Sequence, residues 1–306
     1  MKVLIATQKP FAKAAVDGIR EIVEKNEHTL ALLEKYAEQS DLVAAVADAD
    51  ALIVRSDKVT AEVVNAAKNL KIVVRAGAGF DNLDLASCTE HNVVAMNTPG
   101  QNSNAVAELA IGLMIYMNRN QFTAGTGAEL MGKTLGIQAY GNVGRLVGQK
   151  AMALGMKVVA FDPFLTNDKI ESTGAKVASS LEELYANSDF VSLHIPATPQ
   201  TKGSIGRNLV SRMPKGACLI NTARKEVINE EELMDVLTER EDLRYVADVA
   251  PERAEEFKEK FGKRYFGTPK KMGAETAEAN INAGLAAANQ ICKFFATGDR
   301  TFQLNK

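Results

Sequence analysis

Short apolar segments alternate with longer segments of helical period along the whole chain, and this alternation limits the possible folds more than any other feature. Runs such as VVAF and LIVR are apolar at consecutive positions rather than at every second one, which is typical of strands buried on both faces of a parallel sheet. Parallel strands need crossover connections, and the segments of helical period provide them. The sequence therefore predicts an α/β fold with doubly wound parallel sheets. We predict strands at Val3–Thr7, Ala51–Arg55, Lys71–Arg75, Val93–Met96, Thr134–Ala139, Lys157–Phe161, Phe190–His194, Cys218–Asn221 and Leu243–Val249.

Length and composition exclude several classes of protein. The chain has 306 residues, which at roughly 100–200 residues per domain predicts two domains. Its 36 basic and 38 acidic residues give a net charge of −2, so no nucleic-acid partner is expected. No apolar run reaches the ~20 residues of a membrane span. Three histidines and three scattered cysteines predict no metal site and favour a reducing, cytoplasmic location.

A glycine-rich turn follows the predicted strand at Thr134–Ala139 and begins a helix. It reads Ala139-Tyr140-Gly141-Asn142-Val143-Gly144, the GxGxxG pattern with Ala at the first position. Such a turn lets a pyrophosphate approach the backbone at the N-terminus of a helix. The next predicted strand ends at Asp162, about 20 residues on, where a carboxylate binds ribose hydroxyls and repels a 2′-phosphate. These residues predict an NAD site rather than an NADP site. A methyltransferase that binds an adenosyl group could share the turn and the acid, but not the motifs described next.

Several further motifs occur in order along the chain: VRAGAGFDNLDL, NTPGQNSNAVAELAIGLM, VSLHIPATPQT, LINTARKEVI, ADV and TPKKMGAET. With them the chain resembles the D-isomer-specific 2-hydroxyacid dehydrogenases, and most closely the short-form branch that oxidises D-3-phosphoglycerate to 3-phosphohydroxypyruvate for serine synthesis. The resemblance implies an NAD-binding Rossmann domain at 99–273. This domain would be inserted in a flavodoxin-like, substrate-binding domain formed by 1–98 and 274–306, with a ligand cleft between the two. It also implies a homodimer through the NAD-binding domain, in which the helix Asn104–Asn118 could be an interface helix or part of its own domain's core.

The resemblance implies a catalytic set for hydride transfer. Arg224 would hold the substrate carboxylate, and Glu252 would orient the base, although its spacing from Asp248 is one residue shorter than usual and Arg253 takes the usual position. Most members have His after Thr-Pro, but here Lys270 and Lys271 follow Pro269. We expect Lys270 to be the acid/base, with Lys271 as the alternative. To accept a proton near neutral pH, the lysine must be desolvated or lie near other cations.

Two sets of ligand contacts follow from the same resemblance. The expected cofactor contacts are Ala139, Gly141, Asn142, Val143, Gly144, Asp162, His194, Pro196, Thr201, Thr222, Ala223, Asp248 and Gly273. The expected substrate contacts are Arg55, Ser56, Arg75, Gly77, Ala78, Gly79 and Asn104, with Lys9 as a further cation. The basic residues at strand ends favour a phosphorylated 2-hydroxy acid.

Other functions stay open. A glyoxylate or hydroxypyruvate reductase would need Arg55 and Arg75 less. An NAD-sensing corepressor would share the fold and bind a protein partner. A protein that binds NAD but has lost catalysis would explain the missing histidine, unless His194 takes over as the acid/base. We expect His194 to line the nicotinamide site instead.

Overall fold

The strands and helices of the chain alternate almost throughout. A computed structural model describes residues 1–305. The strands are β1 Lys2–Thr7, β2 Thr29–Glu34, β3 Ala51–Val54, β4 Ile72–Arg75, β5 Val94–Asn97, β6 Thr134–Gln138, β7 Lys157–Phe161, β8 Lys176–Val177, β9 Phe190–Leu193, β10 Cys218–Asn221, β11 Arg244–Ala247 and β12 Tyr265–Gly267. The helices are α1 Lys13–Lys25, α2 Gln39–Ala45, α3 Ala61–Ala66, α4 Leu85–Glu90, α5 Ser103–Asn118, α6 Asn142–Ala153, α7 Asn167–Glu171, α8 Leu181–Ala186, α9 Arg207–Val210, α10 Glu230–Glu239, α11 Ala254–Phe261 and α12 Ala277–Thr297.

The chain divides into two compact units. Unit 1 contains Met1–Asn102 and the residues from Thr276 onward, and unit 2 contains Ser103–Glu275. Unit 2 is thus inserted in the sequence of unit 1.

Unit 1 is built on a parallel sheet of five strands in the order β2-β1-β3-β4-β5. From β1 the chain continues to β2, its neighbour on one side, and then crosses to β3, the neighbour of β1 on the other side. The strand order therefore reverses between β1 and β3. In sheets of this order the crevice at the carboxyl ends of the reversing strands is where ligands bind. The residues that follow β1 and β3 therefore have the place of a ligand site.

Unit 2 is built on a parallel sheet of seven strands in the order β12-β11-β10-β9-β6-β7-β8. This is the Rossmann order, with its reversal between β6 and β9. Each face of both sheets is covered by an apolar cluster, as expected for parallel sheets. The predicted α/β fold with two doubly wound sheets is confirmed.

Local sequence signals explain where the long helices begin and end. The helix α12 begins after Thr276, whose side chain accepts the backbone N–H of Ala279 at 3.1 Å, and it ends at Gly298, whose φ is +72°. The helix α10 begins after Asn229, whose side chain accepts the N–H of Glu232. Both helices and α5 lie where the apolar period predicts them.

Two findings concern what the described residues lack. Within residues 1–305, no helix has the length and apolar character that crossing a membrane requires. Over the same residues, His, Cys, Asp and Glu side chains form no cluster of three that could hold a metal ion.

Candidate functional site

The glycine-rich turn joins β6 to α6 in unit 2. Ala139, its first residue, has φ of +71°, a left-handed conformation that disfavours any side chain. A Cβ atom on Gly144 would collide with the carbonyl oxygen of Ala139, so only glycine lets α6 pack this close to β6. Gly141 caps the helix, and the space where its Cβ would lie is open. The turn therefore exposes unpaired backbone N–H groups of α6 to a ligand.

Asp162 lies beside this turn, at the end of β7. One carboxylate oxygen accepts the backbone N–H of Tyr140 at 2.8 Å, and the other accepts that of Phe164 at 2.9 Å. These two bonds fix the orientation of the carboxylate. Each oxygen retains a lone pair for a further donor such as a ribose hydroxyl.

The loop after β9 carries three expected cofactor residues. The ring Nε2 of His194 lies 2.9 Å from the Ser192 hydroxyl, and desolvation lowers the pKa of His194 to about 3. The imidazole is therefore neutral at physiological pH. The hydroxyl of Thr201 donates to the carbonyl of Pro196 at 2.5 Å, which closes the loop on itself.

The turn after β10 presents Thr222, Ala223 and Arg224. Asn221, buried at the strand end, accepts the N–H of Ala223 at 3.0 Å and donates to the carbonyl of Arg224 at 2.9 Å. The hydroxyl of Thr222 is buried and has no hydrogen-bond partner among residues 1–305. A buried polar atom without a partner is rare in a protein by itself, so this hydroxyl favours a ligand at the turn.

Asp248, at the end of β11, organises the segment that carries both lysines. Its carboxylate is fully buried and accepts the backbone N–H groups of Met272 at 2.7 Å and Gly273 at 2.9 Å. The Thr268 hydroxyl contacts the backbone and side-chain oxygens of Asp248, at 2.6 and 3.1 Å. Lys270 and Lys271 both lie between these anchors with exposed side chains.

Glu252 forms an ion pair with Lys225, at 3.1 Å, and its side chain is exposed. The same hydrogen bond raises the pKa of Lys225. The backbone N–H groups of Glu252 and Arg253 both donate to the carboxylate of Glu230, at 2.7 and 3.0 Å. Glu252 is thus paired with Lys225, the residue that follows Arg224, and Glu230 holds the backbone of Glu252 in place.

Arg55 lies at the carboxyl edge of the unit 1 sheet, just after β3. Its Nη1 donates to the carbonyls of Lys9 and Pro10, at 3.0 and 3.2 Å, and its Nη2 donates to Asn280 Oδ1 at 2.5 Å. The guanidinium carbon lies 5.3 Å from the centre of the Phe11 ring. All these partners of the guanidinium are neutral, whereas the backbone N–H of Arg55 donates to the carboxylate of Asp57 at 3.4 Å.

Arg75 lies beside Arg55 at the end of β4. Its Nε donates to the carbonyl of Arg55 at 3.0 Å, and its Nη1 donates to that of Gly79 at 2.8 Å. A Cβ atom on Gly77 would come within 2.6 Å of this guanidinium, so glycine leaves room for it. The structure therefore brings the predicted cations and the glycine segment of unit 1 together.

The remaining expected substrate contacts take other positions. Asn97 Nδ2 donates to the Ala78 carbonyl at 2.6 Å, which orients the glycine segment. Ser56 is exposed next to Arg55. Asn104 lies in unit 2, on the first turn of α5, where it donates to Glu108 at 2.8 Å.

Four residues that hold these groups in place were not predicted as site residues: Tyr140, Asn221, Asp57 and Asn280. Asp57 is buried and accepts the backbone N–H of Gln8 at 2.7 Å and the Tyr36 hydroxyl at 2.8 Å. For Asp57 a sequence signal existed, because it lies in VRSDKVT beside the predicted Arg55. The role of Asn280 depends on a residue 225 positions away, which no local pattern indicates.

Comparisons with known proteins agree with this geometry. A family model for the D-isomer specific 2-hydroxyacid dehydrogenase, NAD binding domain, matches residues 110–266. The hydroxypyruvate reductase of Thermotoga maritima is 35% identical, over 88% of this chain and 92% of its own length. The D-3-phosphoglycerate dehydrogenase of Methanocaldococcus jannaschii is 37% identical over 83% of this chain. The chain spans only about half of that relative, 51% of its length.

A structural comparison also covers the whole chain. The crystal structure of NAD⁺-bound 3-phosphoglycerate dehydrogenase from Entamoeba histolytica has a TM-score of 0.90 and 49% sequence identity. The match covers 100% of this chain and 99% of that chain.

Proposed function

Since the chain belongs to the D-isomer specific 2-hydroxyacid dehydrogenases, we propose that it oxidises a phosphorylated 2-hydroxy acid, D-3-phosphoglycerate, to 3-phosphohydroxypyruvate. The protein carries the NAD-binding domain of this family. The proposed reaction would supply the first carbon-skeleton intermediate for serine. Relatives and a structural neighbour named for this activity support the proposal.

The single observation that supports a phosphorylated substrate most directly is the environment of Arg55. Its guanidinium is fixed by neutral acceptors only, and it lies where the strand order of the unit 1 sheet reverses. A rigid guanidinium whose own hydrogen-bond acceptors are all neutral favours a dianionic group such as phosphate. Arg75, next to it, adds a second cation.

The residues of unit 2 fit NAD in three ways. The space beyond Gly141 at the N-terminus of α6 is open, the carboxylate of Asp162 is oriented beside the turn, and the buried Thr222 hydroxyl has no partner among the described residues. When bound, NAD supplies the acceptor for the hydride that leaves C2 of the substrate.

The protein's own residues account for the remaining steps. Arg224 would bind the substrate carboxylate and polarise the C2–O bond. Lys270 or Lys271 would take the proton of the C2 hydroxyl as the hydride departs, leaving a ketone. Glu252, which is paired with Lys225, would orient the catalytic lysine by its negative charge. An NAD-sensing corepressor would not need the catalytic side chains of Arg224, Glu252 and the lysine.

A second candidate, hydroxypyruvate reductase, has one observation in its favour. The match to the hydroxypyruvate reductase of T. maritima covers 92% of that protein's length. The match to the M. jannaschii dehydrogenase covers only 51% of its length. The two candidates share the chemistry at C2 and differ in the phosphate group.

The test is a steady-state assay of NAD⁺ reduction with D-3-phosphoglycerate, L-lactate, D-lactate and D-glycerate, and of NADH oxidation with hydroxypyruvate and 3-phosphohydroxypyruvate. The proposal expects the phosphorylated pair to be preferred and NADP⁺ to be a poor substitute. Turnover of hydroxypyruvate with equal or higher kcat/KM would favour the second candidate. No turnover with any of these acids would refute the enzyme function.

We also propose that the protein is a cytoplasmic homodimer joined through unit 2. Two large apolar side chains of unit 2, Phe122 and Met131, are 70% and 71% exposed, and several apolar residues of α5 are only partly buried. Exposed apolar surface of this kind favours a protein interface. The three buried, free cysteines suit a reducing compartment. Light scattering after size-exclusion chromatography would test the dimer, which Met131→Asp should weaken.

A further inference from the structure

Asn280 lies on the first turn of α12, and its amide group has a single defined orientation. Its Nδ2 donates to the carbonyl of Thr276, one turn earlier in the chain, at 2.9 Å. The carbonyl oxygen Oδ1 must therefore point away from the helix, and it accepts Nη2 of Arg55 at 2.5 Å. The side chain thus links the N-terminus of α12 to the loop after β3 within unit 1.

This contact leaves one edge of Arg55 available. A guanidinium has five N–H groups, and three of them donate to Lys9 O, Pro10 O and Asn280 Oδ1. The described residues provide no acceptor for the Nε–H or for the second Nη2–H. Since Nε and Nη2 lie on the same edge of the guanidinium, these two donors can bind two oxygens of one anion.

We propose that Asn280 is a positioning residue that makes the protein specific for a phosphorylated substrate, by holding Arg55 with its Nε/Nη2 edge free for the phosphate. The inference rests on the proposed function. Asn280 itself does not contact the reacting atoms, which are at C2, whereas the phosphate is at C3.

The neutral amide matters as much as the hydrogen bond. A carboxylate at the same position would accept the same Nη2 bond, but its charge would pair with the guanidinium and cancel much of its attraction for an anion. Asn280→Asp therefore keeps the size and the acceptor, loses the Nδ2 bond to the Thr276 carbonyl, and cancels much of the positive potential. Asn280→Ala leaves the positive potential of Arg55 unchanged but removes the hydrogen bond that orients its guanidinium.

The test compares phosphorylated and unphosphorylated substrates in the same protein. For Asn280→Asp we expect KM for D-3-phosphoglycerate to rise about 10- to 100-fold. For Asn280→Ala we expect a rise of about 3- to 10-fold. In both variants kcat, and the KM for D-glycerate, should stay within about twofold of the wild type. Titration calorimetry with inorganic phosphate provides a readout that requires no turnover, and it should show weaker binding in the same order.

The chain offers a matched control. Asn289 lies on the same helix and makes the same type of bond, from Nδ2 to the Leu285 carbonyl at 3.0 Å, but it has no contact with an arginine among the described residues. Asn289→Asp adds the same charge to α12 and should change neither KM nor phosphate binding. A urea unfolding curve for each variant checks that the fold is intact.

The outcomes separate this inference from the proposed function. An equal rise in KM for both substrates, or a loss of kcat alone, would mean a general structural role and would overturn the inference. If Arg55→Met abolishes the phosphate preference and Asn280→Asp leaves it unchanged, the inference is wrong while the proposed function stands. If the wild type itself neither prefers the phosphorylated acid nor binds inorganic phosphate, the proposed function fails first.

Discussion

The carboxylate of Asp248 accepts the backbone N–H of Gly273 at 2.9 Å, and Met272 donates to the same carboxylate at 2.7 Å. Because Asp248 is fully buried, these bonds hold the segment from Pro269 to Gly273 against the end of β11. That segment carries Lys270 and Lys271. A single carboxylate therefore determines where the proposed acid/base lies.

Asp248→Asn should both destabilise the protein and slow the reaction. An amide NH₂ would face one of the two backbone N–H groups, and an unsatisfied buried donor destabilises a fold by about 1–3 kcal/mol. We expect urea unfolding to show a loss in this range and kcat to fall at least about tenfold, because the lysine moves relative to C2. Asp189→Asn is the control, since Asp189 also accepts one backbone N–H, from Thr134 at 2.8 Å. The amide oxygen that this substitution introduces can still accept the single N–H, so the control should leave kcat unchanged, and a variant at Asp248 with normal kcat would contradict the account.

One of the two adjacent lysines should carry the proton. Loss of a general base lowers a rate by about 10²- to 10⁴-fold, so either Lys270→Ala or Lys271→Ala should reduce kcat by such a factor, and the other should have a small effect. Lys263→Ala, an exposed lysine that donates to the Thr123 hydroxyl, is the control for a change of surface charge. If both alanine variants retain full activity, the lysine mechanism is wrong.

Ala139→Gly should stabilise the protein. Ala139 has φ of +71°, which disfavours a side chain by about 1–2 kcal/mol, while glycine adds about 0.5–1 kcal/mol of unfolded-state entropy. The net gain should be up to about 1 kcal/mol, measured as the free energy of unfolding in urea. Ala286→Gly, in the interior of the helix α12, should instead destabilise by a similar amount. Destabilisation by both substitutions would show that the side chain of Ala139 has a packing role.

His194 should make stability depend on pH. Desolvation lowers its pKa from 6.5 to about 3, so between these values the unfolded chain binds a proton that the folded protein excludes. The stabilisation from this group is therefore complete above about pH 6.5 and is lost as the pH falls toward 3. Urea unfolding at pH 7 and at pH 4.5 should show a smaller difference in His194→Gln than in the wild type. Equal differences would indicate that the imidazole is protonated in the folded protein.

Most of the fold could be predicted because buried parallel strands have a strong local signal. All nine predicted strands are present, with bounds that differ by a few residues at most. The strands β2, β8 and β12 were not predicted. The strand β2 has a short apolar run, LALL, but every residue of it is at least partly exposed, and β8 and β12 have only two and three residues. Strands of this kind depend on their neighbours rather than on their own composition.

The candidate site could be predicted to the level of segments and less well to the level of contacts. Ordered motifs pointed to Arg75, Arg224 and the lysine pair as site residues, and the end of a predicted strand pointed to Arg55. They did not indicate that Glu252 pairs with Lys225, or that Asn280 holds Arg55. These contacts join residues far apart in sequence, and only the folded backbone brings them together.

The most direct test of the account is the ratio of kcat/KM for D-3-phosphoglycerate to that for D-glycerate, measured with NAD⁺ in the wild type and in Arg55→Met. A bidentate guanidinium–phosphate contact is a strong, charge-assisted interaction, so the account predicts a ratio of at least about 100 in the wild type. In Arg55→Met the ratio should fall at least about tenfold, with the rate on D-glycerate nearly unchanged. A wild-type ratio near one, or a ratio that Arg55→Met leaves intact, would contradict the proposal that this protein acts on a phosphorylated 2-hydroxy acid through Arg55.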